Sequence, residues 1–511
     1  MTEIELKLHV PSDALAPLVA RLRALGARTV RLRTAYFDTP DALLARHGLA
    51  WRIRREGRHW VQTLKSGDGL IREEHEVPVP GQSTDWPTPE LDRHRGSAAG
   101  ARLETLLDRS DQPVIERFRT DFSRLSAPLR TRRGWIELSL DRGSIQAGEH
   151  MTPLCELEIE LIRGSPRAVT EVAAMMIRRY SLWIDLRSKA QRGHLLAAGL
   201  VQAPVRRADS CMLRPDMTMG DAWQAVARQC VTPILAQASQ IAAPEGHDAE
   251  HLHQIRVGLR RYRTALRLFQ HIVPNAPQRS ERAGELARQL GARRDRDVMA
   301  QTLWPALTQV NAPLVMLPET AEPHDPASIM RSGAHQVELL RLIEFSELPF
   351  DRALDEPGQA PIGLFERLSA ALEDGWRSIR RKAKRFDELS DADRHRLRRQ
   401  IKRLRYGLEF CTNLFQARRL RTMSRALAQA QQALGDYNDT CVALTRYRTL
   451  AQDDPRAWFA AGWLAARRPE RLEYCRTTLA ALRDVPRAWP RPARAAKAVQ
   501  LRRSASEGPD P

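Results

Sequence analysis

The chain has 511 residues, with 81 Lys+Arg against 62 Asp+Glu, a formal net charge of +19 and a pI of about 10.4. A hydrophobic share of 42% and a charged share of 28% exclude a disordered polymer, and no apolar run approaches the roughly 20 residues that a membrane span requires. The basic surplus raises the local concentration of polyanions without choosing among nucleic acid, anionic lipid and condensed phosphate. Six dispersed cysteines (Cys155, Cys211, Cys230, Cys411, Cys441, Cys475) form no CxxC pair, which argues against a zinc knuckle or a disulfide framework and suits a reducing cytoplasm.

Apolar and polar residues alternate over 3–9, 50–56, 60–65, 71–79, 135–141 and 154–162, the period of half-buried strands. Helical spacing appears near 13–26 and 166–180. Residues 1–202 are therefore expected to form an antiparallel α+β domain. A polar linker is expected over 203–215. From 216 to 488 the period becomes that of long Arg- and Leu-rich helices, with Pro- and Gly-bearing interruptions at 311–326 and 353–362. The tail, 489–511, has no periodicity and is expected to be disordered.

Alternate side chains of a strand share a face. Glu3, Glu5 and Lys7 therefore point together, as do Arg52 with Arg54, Glu137 with Ser139 and Asp141, and Glu156 with Glu158 and Glu160. A solvated face normally mixes its charges. Here one strand offers only acids and another only arginines, and like charges at i, i+2 repel unless a counter-ion lies between them. Such segregation suits a ligand of both signs, namely divalent metal on an oligophosphate: hard cations take oxygen ligands, and arginine presents a planar fork to phosphate.

In this setting the strand from Glu3 through Glu5 to Lys7 resembles the ExExK motif of the CYTH superfamily, the triphosphate tunnel metalloenzymes. Blocks at Tyr36–Pro40, Gly48–Arg54, Thr63–Lys65, Arg72–Glu74, Thr120–Arg124, Ile136–Gly143, Cys155–Leu161 and Ser188–Gly193 follow in that family's order. The resemblance implies an eight-stranded antiparallel tunnel barrel. It implies that Lys7, Arg52, Arg54, Lys65, Arg124, Lys189 and Arg192 clamp phosphate. Glu3, Glu5, Asp141, Glu156 and Glu158 would hold Mg²⁺ or Mn²⁺, with Glu74 on the same face. Which of Glu156, Glu158 and Glu160 meet metal stays open, and Arg117 and Arg119 offer alternatives near Arg124.

The helical half repeats itself. His253, Arg256, Arg260 and Arg263 recur 142 residues later as His395, Arg398, Lys402 and Arg405, and Leu290, Gly291 and Asp295 recur as Leu434, Gly435 and Asp439. Two motifs in the same order imply two copies of one helical unit about a pseudo-twofold axis. At 100° per residue the first set spans an arc of about 80°, opposite Ile255, Leu259, Tyr262, Leu266 and Phe269. That face carries no acid to relieve its repulsion. The repeat resembles the CHAD domain, which implies two pseudo-symmetric four-helix bundles binding inorganic polyphosphate.

The expected activity is metal-dependent hydrolysis of inorganic triphosphate, with the helical half tethering the enzyme to polyphosphate, in the cytoplasm and in association with polyphosphate granules. The catalytic groups all precede residue 200, so the chemistry is expected not to need the helices. Alternatives are a thiamine-triphosphatase, a class IV adenylate cyclase, or a non-catalytic polyphosphate binder. An aromatic share of only 6% and the lack of a stacking motif disfavour single-stranded nucleic acid.

Overall fold

The computed structural model describes residues 2–67, 71–80, 86–291, 303–313, 315, 325–347 and 363–490. The stretch 353–362, the repeat motif beyond Gly291 and the tail from 491 lie outside these. The N-terminal region is an antiparallel sheet and the C-terminal region is helical. The strands are β1 (Thr2–His9), β2 (Arg28–Asp38), β3 (Leu49–Glu56), β4 (His59–Ser66), β5 (Ile71–Val79), β6 (Ile115–Arg130), β7 (Gly134–Ala147), β8 (His150–Gly164) and β9 (Trp183–Ile184). Their order is β5-β4-β3-β2-β6-β7-β8-β1-β9, with β1 also pairing β5 through Thr2↔Glu73, Glu3↔Arg72 and Ile4↔Ile71. The sheet thus has nine strands rather than the expected eight. The extra one is the two-residue β9, which pairs with Leu8 and His9 of β1.

The helices are α1 (Ser12–Ala24), α2 (Leu43–Arg46), α3 (Ala98–Leu107), α4 (Arg167–Tyr180), α5 (Lys189–Ala197), α6 (Met219–Ala242), α7 (Ala249–Leu268), α8 (Ala276–Gln289), α9 (Trp304–Thr308), α10 (Pro326–Arg331), α11 (Gly333–Glu347), α12 (Leu364–Lys384), α13 (Asp391–Phe410), α14 (Ala417–Leu450) and α15 (Ala457–Ala481). The alternation at 3–9 and 154–162 places Leu6, Leu8, Leu157 and Ile159 on one buried face. Helix α4 covers β1, β7 and β8 with Val169, Val172, Ala173, Met176 and Ile177.

By compactness the chain divides into Met1–Arg207 with Val231–Ile255 and His324–Pro349, and Ala208–Cys230 with Arg256–Pro323 and Phe350–Pro511. This differs from a single cut at 203–215. The reason is packing: α11 lies against α4 and β9, and the backbone at Ala203 is held by Gln240 and His251. In the second unit α12, α13, α14 and α15 pack as consecutive neighbours, with Leu444, Tyr447, Ala457 and Leu464 in one apolar cluster.

Candidate functional site

Strand register builds the first site. Lys7 lies opposite Glu158 and Glu5 opposite Glu160 across β1 and β8, while Arg124, Asp141 and Glu156 form a row across β6, β7 and β8. On the other side Lys65 lies opposite Glu74, and Thr63 stands between Arg52 and Glu76. These faces bound a cavity of about 960 Å³ within the first unit, lined by Glu3, Glu5, Lys7, Arg52, Arg54, Lys65, Glu74, Arg124, Glu158 and Lys189 among others.

Within it charges are closely paired. The Lys7 ammonium lies 2.6 Å from Glu5 and 3.0 Å from Glu158. Lys65 joins Glu3 at 2.9 Å and Glu74 at 3.0 Å, and Arg52 reaches Glu74 at 3.2 Å. Arg124 grips Asp141 with two hydrogen bonds of 2.7 Å and also bonds Glu158. Lys189, at the start of α5, meets Glu156, Asp141 and Glu158 at 2.5, 2.7 and 2.9 Å. Burial would raise the Glu158 carboxyl, but Lys189, Lys7 and Arg124 outweigh it and hold it well below the usual range. The same carboxylates outweigh burial at Lys189 and Arg124 and hold both cations charged.

Asp141, Glu156 and Glu158 bring ligand atoms within 4.8 Å of one another, as a metal site would. The Lys189 ammonium already sits among them, so in this arrangement they form its counter-ion cage. Asp141 and Glu156 are absent from the cavity lining, as is Arg192, which bonds the Pro153 carbonyl at 2.7 Å and lies 3.6 Å from Glu156. The acids that do line the cavity are Glu3, Glu5, Glu74, Glu76, Glu158, Glu160 and Glu347. Burial and then Glu3, Glu5, Glu137 and Glu158 push the Glu160 carboxyl up to about 7. Burial and Glu5 likewise raise Glu3. Carboxylates that repel each other in a cavity are a donor set suited to Mg²⁺ or Mn²⁺.

The buried Nε atoms of Arg52 and Arg54 have no hydrogen-bond partner among the described residues, which fits an anion entering beside them. Glu76, not singled out from sequence, lies 3.2 Å from Arg54 and 3.8 Å from Arg52. The spacing Glu74, Glu76 along β5 is the signal that could have found it. Arg119 instead pairs with Glu116 at 2.5 Å and lies over Trp86.

The repeat builds a second constellation in the helical region. Arg256 on α7 donates to the Gly291 carbonyl at 3.2 Å, and a Cβ on Gly291 would lie 3.1 Å from its guanidinium. A Cβ on Gly435 would likewise lie 3.1 Å from the guanidinium of Arg398 on α13. The repeated glycines therefore seat the repeated arginines. Arg405 bonds Gln431 at 3.1 Å, His395 bonds Asn438 at 2.6 Å, and Arg263 bonds Ser280 at 3.3 Å from an exposed position. His253 is half-buried on α7. Burial, followed by Arg260, Arg398, Arg405 and Arg256, pushes the Lys402 ammonium down to about 7. Cations from both copies thus converge on one lysine.

Comparison with known proteins follows this division. Residues 1–193 match the sequence model of the CYTH domain, and residues 225–448 that of the CHAD domain. An inorganic triphosphatase from Haemophilus influenzae is 28% identical over 205 residues, which is 39% of this chain and 56% of that protein, so the chain spans little more than half of that relative. The CHAD domain from the plant Ricinus communis is 30% identical, covering 56% of this chain and 99% of that one, with a TM-score of 0.45. A protein from Hippeastrum described as having a dominant triphosphatase activity is 20% identical over 40% of this chain and 98% of its own, with a TM-score of 0.27. No helix among the described residues is long and apolar enough to cross a membrane. The chain belongs to the proteins that join a CYTH domain to a CHAD domain.

Proposed function

We propose that the N-terminal cavity hydrolyses inorganic triphosphate with a divalent cation, and that the CHAD region binds inorganic polyphosphate. The observation that carries the first part is the single cavity in which Lys7, Arg52, Arg54, Lys65, Arg124 and Lys189 face Glu3, Glu5, Glu158 and Glu160. The β1–β5 pairing supports a ring of eight strands with β9 appended, and hence a tunnel around that cavity.

Arg52 and Arg54 bind phosphate oxygens through the donors they leave unused, and orient the chain of phosphates along the strands. Lys65 and Arg124 balance its charge from either side. Lys189 keeps Glu158 ionised and ready to accept a hydrogen bond from water. Mg²⁺ or Mn²⁺ held by Glu3, Glu5, Glu158 and Glu160 would neutralise charge developing on the leaving phosphate and activate water. Fixed cations aimed at the phosphates act without reorganisation when the phosphoanhydride breaks. No covalent intermediate is required.

The second part rests on the convergence of Arg256, Arg260, Arg398 and Arg405 on Lys402, since a cluster of cations that depresses its own lysine is relieved by a polyanion. A phosphate-release panel tests the enzyme reading. Triphosphate should be hydrolysed faster than ATP, thiamine triphosphate or long-chain polyphosphate, with Mg²⁺ or Mn²⁺ present. Equal inactivity on all four with both metals would overturn it.

A further inference from the structure

Lys189 owes its place to the five residues before it. Ile184, the last residue of β9, is followed by Asp185, Leu186, Arg187 and Ser188, and Ser188 caps α5 by accepting from the Gln191 backbone. On one side this segment is tied to β1, where the Asp185 amide donates to the Lys7 carbonyl at 3.1 Å. Among the described residues, its other side has no strand to pair with. An amide buried there without an acceptor would be costly, so something must satisfy it.

The acceptors come from sequence beyond residue 230. The Ile184 amide donates to the Gln336 Oε1 at 2.7 Å, and the Leu186 amide to the Ser239 Oγ at 3.0 Å. Arg187 holds Asp185 with bonds of 2.9 and 2.7 Å, and reaches Gln240 and Glu245 at 3.4 Å. Ser239, Gln240 and Gln336 are each at most 1% exposed. All of these residues lie in the first compact unit. Gln336 is itself locked by donating to the Met330 carbonyl at 2.6 Å, and Ser239 by donating to the Leu235 carbonyl at 2.9 Å. They are fixed pegs rather than groups that swing to meet a ligand.

The geometry points to Ser239 and Gln336, supported by Gln240, as positioning residues for Lys189, so that sequence belonging to the CHAD half completes the CYTH catalytic site. The proposal rests on the triphosphatase reading above. The route is short: two pegs fix alternate amides of a segment paired to β1 on one side only, the segment enters a capped helix, and the first residue of that helix is Lys189. A shift of the segment moves the ammonium away from Asp141, Glu156 and Glu158, and sub-ångström placement of such groups decides rate.

The test uses the full chain. Ser239→Ala and Gln336→Ala each remove one acceptor, Ser239→Thr keeps the hydroxyl, and Ser346→Ala removes a buried hydroxyl of α11 that among the described residues bonds only the Ile343 carbonyl. We expect S239A and Q336A to lower kcat for triphosphate about 10- to 100-fold, more than they change KM, with helical circular dichroism retained. S239T should retain kcat within about threefold, and S346A should match wild type. Folded S239A and Q336A variants with the kcat of S346A would overturn the proposal. Wild type without phosphate release in either metal overturns the hydrolase reading instead. The positioning claim is then decided by calorimetric affinity for triphosphate, expected about tenfold weaker in S239A and Q336A than in S346A, equality refuting it.

Discussion

Arg52 and Arg54 stand two residues apart on β3, each with a carboxylate partner and each with a buried Nε left without one among the described residues. Removing one charged donor near a phosphate in its transition state typically costs about 10²–10³ in rate. Arg52→Ala and Arg54→Ala are each expected to lower kcat by that factor in a phosphate-release assay, with wild-type turnover in both excluding their role. Lys402 makes a prediction of opposite character. Its ammonium is held down to about 7, so above that pH it is neutral in the free protein, while a bound polyanion favours the charged form. Binding must then take up a proton. Polyphosphate affinity should fall as pH rises above 7, by up to about tenfold per unit. Lys402→Arg, charged throughout, should bind with a flatter profile in titrations from pH 6.5 to about 9.5.

Helix α5 is placed by close approach. A Cβ on Gly193 would lie 2.1 Å from the ring of Phe118, which is itself stacked on Tyr36 at 4.6 Å and 2% exposed. Neither ring can withdraw, so Gly193→Ala should push α5 and Lys189 off the acid cage. Triphosphate turnover should drop at least about tenfold, and a melting curve should show destabilisation of about 1–3 kcal/mol from overpacking. In α14 the same substitution at Gly435 meets only the flexible end of Arg398 at 3.1 Å. There the helix gains about 0.5–1 kcal/mol in propensity while the guanidinium is displaced. Gly435→Ala should therefore melt no lower than wild type yet bind polyphosphate several-fold more weakly.

For the whole molecule, metal and salt should separate the two proposed activities. Chelation with EDTA should stop triphosphate hydrolysis, and Mg²⁺ or Mn²⁺ should restore it, because on the proposed reading the cavity-facing acids act through a cation. Full activity in chelator would refute the metal assignment. Polyphosphate binding should weaken steeply with salt, as release of counterions from many contacts requires. Arg256→Glu combined with Arg398→Glu should abolish it while leaving the circular dichroism helical. Binding that survives the double variant, or a preference for DNA at equal salt, would count against the CHAD region as the polyphosphate site.

The alternation at 3–9, 50–56 and 154–162 was enough to place acids and bases on common faces, since a strand's period of two is a local property. Strands β2 and β6 escaped the periodic reading. Arg28, Arg31 and Arg33 on one, and Pro128 with several charges on the other, blur an alternation that long pairing nevertheless supports. The repeat of His253, Arg256, Arg260 and Arg263 was equally legible, being a matter of order and spacing. Which acids face the cavity was not, because Asp141, Glu156 and Glu158 share a face and all three meet Lys189, yet of them only Glu158 lines the cavity. Nor could sequence show that Ser239 and Gln336 accept from Leu186 and Ile184, across separations of 53 and 152 residues. Period, charge pattern and repeat are carried by neighbours along the chain. Cavity lining and the satisfaction of buried amides depend on groups that only packing brings together.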